Sequence, residues 1–179
     1  MQQPKILTCL VILLLGTQLA HAQFQKGTFV AGAQASFGMS KNDQFTNVYF
    51  TPTVSGGYML VDNLELGVRA TASARHFSRT GGDRFTEITS YSTGIYGHYY
   101  FGKGKLRPFV IAGVDYGYRN TDDLNFVDFR AGGGLLYQVN SRLGLTLEHT
   151  VSHSRFSNGT SNTNFFGTRL GLRFRIGGK

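Results

Sequence analysis

The chain has 179 residues, with 18 basic and 10 acidic side chains, a net charge of +8, 24 glycines, 3 prolines and no tryptophan. Charged residues make up only 16%, against the roughly 25% usual in soluble domains. The single cysteine, Cys9, lies in an N-terminal segment marked for removal, which excludes a disulfide framework, thiol catalysis and thiolate metal sites.

In that segment, Lys5 precedes the apolar run ILTCLVILLL (6–15) and then GTQLAHA, with small residues at Ala20 and Ala22. A basic start, an apolar core of about 7–15 residues and an A-x-A site are the parts of a secretory signal peptide. Residues 1–22 are expected to be cut off after Ala22, leaving 23–179 as one exported domain. No later apolar stretch reaches the length of about 20 residues that a membrane-crossing helix needs.

From there the sequence alternates with period 2, the signature of strands with two unlike faces. The alternating segments are 28–38, 48–60, 64–75, 88–101, 107–118, 127–139, 143–154 and 164–179. In the third, Leu64, Leu66, Val68, Ala70, Ala72 and Ala74 oppose Glu65, Gly67, Arg69, Thr71, Ser73 and Arg75. In the last, Phe166, Thr168, Leu170, Leu172, Phe174 and Ile176 oppose Gly167, Arg169, Gly171, Arg173 and Arg175. VDN (61–63), GKGK (102–105) and NSR (140–142) are tight hairpin turns. The other connections are longer and polar: SKNDQFTN (40–47), HFSRTGGDRFTE (76–87), RNTDDLN (119–125) and RFSNGTSNTN (155–164). Eight strands joined alternately by short turns and long loops match an all-β, antiparallel, up-and-down transmembrane barrel.

The polar face decides which side points out. A soluble barrel would turn its apolar face inward and clothe the outside in lysine and glutamate. Here the polar face carries glycine, serine, threonine, arginine and a few carboxylates. Small residues suit the lumen of an eight-stranded barrel, just wide enough to be filled by side chains. Arginine suits a place where one guanidinium satisfies several acceptors. The leucines are therefore expected to face lipid and the arginines the lumen. Glu65, Asp115, Asp128 and Glu148 would meet Arg69, Arg107, Arg130, Arg169 and Arg173 in a luminal charge network, with Glu148 and Arg169 as hairpin neighbours. Tyr58, Tyr99, Phe101, Tyr137 and Phe174 would form an aromatic girdle at the short-turn end. Phe37, Phe50, Tyr91, Tyr116, Phe129 and Phe166 would form a second at the loop end.

The signal peptide, the stretch LRPFVIAGVDYGY (106–118) after a tight turn, and the final arginine/apolar strand together resemble the small bacterial outer-membrane β-barrel family typified by OmpA and OmpX. The resemblance implies a monomeric integral protein of the Gram-negative envelope, surrounded by outer-membrane lipid and lipopolysaccharide. The chain itself is expected to serve a structural role or a surface contact with an extracellular ligand or protein through its loops, without a cofactor, and its side-chain-filled lumen to leave no wide pore.

The remaining signals for chemistry are weak. The lysines after the signal peptide fall in loops or near the chain ends, and no basic patch interleaved with aromatics appears, so no nucleic-acid partner is expected. His149 and His153 are about 13 Å apart if both lie on one strand, too far for a shared metal ion. The segment EHTVSHSRFSNG (148–159) looks loosely like the His-x-Ser-Asn segment of lipid A 3-O-deacylases, which makes a lipid-modifying hydrolase the alternative. Its spacing differs, however, since His153 and Ser157 are four residues apart, and Glu148 should face the lumen. No catalytic residue is assigned.

Overall fold

The structure, a computed structural model, describes residues 25–41, 45–79, 84–121, 123–163 and 167–177. The expected signal peptide with its cleavage site, and Phe166, lie outside them. Every regular element among the described residues is a strand: β1 (Phe29–Lys41), β2 (Phe45–Val61), β3 (Leu64–Arg79), β4 (Arg84–Tyr100), β5 (Leu106–Arg119), β6 (Leu124–Gln138), β7 (Leu143–Phe156), β8 (Ser161–Thr163) and β9 (Gly167–Ile176). From β1 to β7 each strand pairs antiparallel with the next, and both β8 and β9 pair with β7. β9 then pairs with β1, from Phe29 opposite Ile176 to Ala35 opposite Leu170. With β8 and β9 sharing one position beside β7, the pairing of β9 with β1 closes the sheet as an eight-stranded barrel.

The strands outrun the alternating segments at the loop end. β3 continues to Arg79 and β4 begins at Arg84, so Glu87, placed in a loop by the alternation, sits in β4 opposite Arg75. β1 and β2 likewise extend to Lys41 and from Phe45. Past the apolar band neither face needs to be greasy, so the pattern fades while the backbone ladder continues.

At the other end the turns are tight for local reasons. Asn63 has a φ of 67° and Gly102 one of 75°, the left-handed region that asparagine and glycine tolerate best. The Asn140 side-chain oxygen accepts from the backbone N–H groups of Arg142 and Leu143, both at 2.8 Å, which folds the β6–β7 turn.

The wall is inverted relative to a soluble protein. Outward side chains are apolar and exposed, Leu170 at 67% and Ile95 at 66%. The buried set includes Glu65, Arg69, Asp115, Glu148, Arg169 and Arg173. A small apolar cluster of Val30, Met59, Tyr100, Phe109 and Leu136 fills the lumen near the turns.

Candidate functional site

The lumen is where charge and chemistry gather. Glu65, the second residue of β3, is fully buried. Tyr96 Oη donates to its Oε1 at 2.6 Å and Tyr100 Oη to its Oε2 at 2.7 Å. From β9, Arg173 Nη1 lies 2.5 Å from both oxygens. Arg173 Nη2 donates to His98 Nδ1 at 2.8 Å, which fixes that ring's acceptor nitrogen. The His98 ring packs against Tyr96 and Phe109, with centroids 4.8 and 5.1 Å away, and its Nε2 approaches Glu148 Oε2 at 3.9 Å.

Glu148 and Arg169 are register partners on β7 and β9. Arg169 Nη1 donates to Glu148 Oε1 at 3.1 Å, and Gln34 Nε2 donates to Oε2 at 3.1 Å. Nearer the loops, Arg69 clasps Asp115 through two bonds of 2.7 Å, the planar fork that makes such pairs strong. Arg130 Nη2 lies 3.4 Å from Asp115 and 3.3 Å from Asp128, while Ser154 Oγ donates to Asp128 at 2.7 Å. The Tyr96 ring stands between the two groups, 6.0 Å from the Arg69 guanidinium carbon and 5.7 Å from that of Arg173.

Of the residues expected in the network, eight converge in this way. The ninth, Arg107, is buried at the turn end, where its Nε donates to Gly104 O at 3.0 Å and Nη2 to Lys103 O at 3.4 Å. It is the second residue of β5, which puts the β4–β5 turn carbonyls within its reach. Tyr96, His98, Tyr100 and Gln34 were missing from the expected set. Their inward positions were legible from the alternation, but a charge count does not flag neutral groups.

Glycine makes room for these side chains. A Cβ at Gly57 would stand 2.5 Å from Glu65 Oε1 and 2.9 Å from Tyr96 Oη, and one at Gly94 would stand 2.2 Å from Asp115 Oδ1. Gly67 lies under the Tyr96 ring, Gly134 under Phe109 and Gly117 under Phe126. These five inward glycines are thus sockets for neighbouring aromatic and charged groups. On the outside, Tyr58, Tyr99, Phe101, Tyr137 and Phe174 are all exposed. Among the described residues no cluster of three or more His, Cys, Asp or Glu side chains could hold a metal ion.

The sequence from residue 7 to 174 matches the model of the outer membrane protein beta-barrel domain. The chain belongs to that family. No curated protein matches it in sequence. Among solved structures it is similar to Neisserial surface protein A, at 16% identity and a TM-score of 0.58 over 84% of this chain and 98% of that one. It is also similar to OprG of Pseudomonas aeruginosa, at 10% identity and a TM-score of 0.52 over 88% and 99%. At such identities the likeness is one of fold. The apolar exterior of this outer-membrane barrel is accordingly its lipid-facing surface.

Proposed function

We propose that this outer-membrane barrel is a monomeric, non-enzymatic envelope protein without a wide pore, set among outer-membrane lipid and lipopolysaccharide and making its external contacts through its loops. The observation that supports the reading is the network of ion pairs that crosses the lumen. Four guanidiniums (Arg69, Arg130, Arg169, Arg173) interlock with four carboxylates (Glu65, Asp115, Asp128, Glu148), each of these carboxylates bonded to at least one of the arginines. A steady aqueous path would need to displace groups that are costly to leave unpaired.

The hydrolase alternative needs an acid, a histidine and a serine on one side of the wall, because a triad acts through its geometry. Glu148 faces inward and is bound to Arg169. His153 belongs to the outward row of β7, opposite Phe129, and Ser154 points inward to Asp128. The acid and the base therefore stand on opposite faces of the barrel.

Planar-bilayer recording on the purified protein tests the proposal. Only brief, small events are expected. Steady, large conductance would show an open lumen, and a deacylated lipid A species appearing on expression would replace the proposal with the hydrolase.

A further inference from the structure

The net positive charge has an address. In the lumen, the four arginines and four carboxylates named above cancel. The loop end is nearly balanced by sequence, with six basic and five acidic residues (Lys41, Arg75, Arg79, Arg84, Arg119 and Arg155 against Asp43, Asp83, Glu87, Asp122 and Asp123). At the turn end, Lys26, Lys103, Lys105, Arg142 and Arg175 face only one carboxylate among the described residues, Asp62.

These five cations sit on a rim held together by backbone bonds. Lys26 N donates to Asp62 Oδ1 at 2.9 Å and Gly27 N to Met59 O at 3.0 Å, tying the start of β1 to the β2–β3 turn. Tyr100 N donates to Asn63 O, Gln138 N to Lys105 O and Arg175 N to Arg142 O, at 2.9, 2.7 and 2.7 Å. The Arg175 guanidinium also donates to Ser141 O. Each turn is thereby fastened to the next, and Lys26, Lys103, Lys105 and Arg142 remain exposed.

The rim lies just beyond the exposed rings of Tyr58, Tyr99, Phe101, Tyr137 and Phe174. Lys103 follows Phe101 by two residues and Arg175 follows Phe174 directly. Aromatic rings of this kind settle at the headgroup level of a bilayer, which places the cations at the depth of lipid phosphates. Basic residues at that depth are drawn to anionic lipid over a distance of about one Debye length.

We propose that this rim is a binding surface for anionic phospholipid headgroups of the leaflet against which the short turns lie. The inference rests on membrane insertion but not on the closed lumen, so an open pore would leave it standing. Complementary charge and depth select the partner: a ring of fixed cations at the phosphate level, directly continuous with the lipid-facing wall.

The test uses the full barrel refolded into vesicles of phosphatidylcholine with a minority of phosphatidylglycerol. Electron spin resonance then compares how much of each spin-labelled lipid is motionally restricted by the protein. At low salt, wild type should restrict phosphatidylglycerol at least about twofold over phosphatidylcholine, and the preference should fall in 1 M salt, where the Debye length shrinks to about 3 Å. The combined variant Lys26→Gln, Lys103→Gln, Lys105→Gln and Arg142→Gln should lose most of it, while Arg155→Gln at the loop end should keep it. Should the fourfold variant fail to fold, judged by heat-modifiable electrophoretic mobility, Lys103→Gln with Lys105→Gln alone should show a partial loss. Equal restriction of both lipids by wild type, or an undiminished preference in the folded variants, overturns the proposal. Equal restriction together with retention on insoluble peptidoglycan would assign the rim to the cell wall instead.

Discussion

The two halves of the lumen use the same ionic chemistry and differ in closure. On the turn side, Glu65 is 0% exposed and receives two tyrosine hydroxyls and an arginine, behind a floor of Met59, Tyr100, Phe109 and Leu136. On the loop side, Asp128 is held by Ser154 and by an Arg130 that it shares with Asp115. One cluster is saturated around a single carboxylate, while the other spreads its load. Removing a member should therefore be far more damaging in the first, since a buried charge left without its partner keeps its desolvation cost.

The largest effect is expected for Glu65→Ala, which strands the buried Arg173 guanidinium and two hydroxyls at once. A loss near the upper end of the ~3–5 kcal/mol typical for breaking a buried pair should appear as a steep fall in thermal midpoint in detergent, read by circular dichroism. Asp128→Ala should cost less, about 1–3 kcal/mol, because Arg130 keeps Asp115. Equal losses at the two sites would erase the distinction between the halves.

Glu148 lies between the clusters and should behave in between. Glu148→Ala leaves Arg169 buried, but Arg130, Asp115 and Asp128 are untouched. A midpoint drop corresponding to the lower end of the same ~3–5 kcal/mol is expected. No measurable change would mean that water already solvates Glu148 and that the closed part of the lumen ends below it.

The architecture was legible in the sequence because a barrel wall is a period-2 object: Leu66 against Gly67 and Val68 against Arg69 state inside and outside directly. The strand ends were harder, since Arg79 and Arg84 sit where both faces tolerate polarity. Within the site, carboxylates and arginines announced themselves as charges on a face otherwise rich in glycine, serine and threonine. Tyr96, His98 and Tyr100 did not, because inward aromatic residues read as neutral filler until their hydrogen bonds are seen. Arg107 misled for the opposite reason, as its charge suggested a carboxylate while its place beside a turn supplied carbonyls.

A finer test of closure compares adjacent glycines. Gly57 faces the saturated cluster, where a new Cβ would press on Glu65 and Tyr96, whereas Gly56 faces outward with nothing within 4 Å. Neither has a positive φ, so backbone strain does not confuse the comparison. Gly57→Ala should cost about 1–3 kcal/mol through overpacking. Gly56→Ala should be neutral, or gain a few tenths of a kcal/mol by stiffening the unfolded chain. Equal midpoints would show that Glu65 and Tyr96 can shift without penalty and that the turn-side half is looser than its hydrogen bonds imply.

The smallest effect is expected on the outer wall, at His153 and Ser157. His98 and His153 make the contrast sharp. The first is buried in the lumen and accepts from Arg173, while the second lies in the outward row of β7 and Ser157 in the exposed turn beyond it. Deleting either outer side chain opens no cavity inside the barrel and leaves the buried pairs whole. Substitutions away from such features usually stay within about 0.5 kcal/mol. His153→Ala and Ser157→Ala should therefore keep the wild-type thermal midpoint, and mass spectrometry of lipid A from expressing cells should show the same species for wild type and both variants. A deacylated species made by wild type and lost in either variant would bring chemistry to the outer face of this barrel, and the division of labour drawn between its two faces would fail.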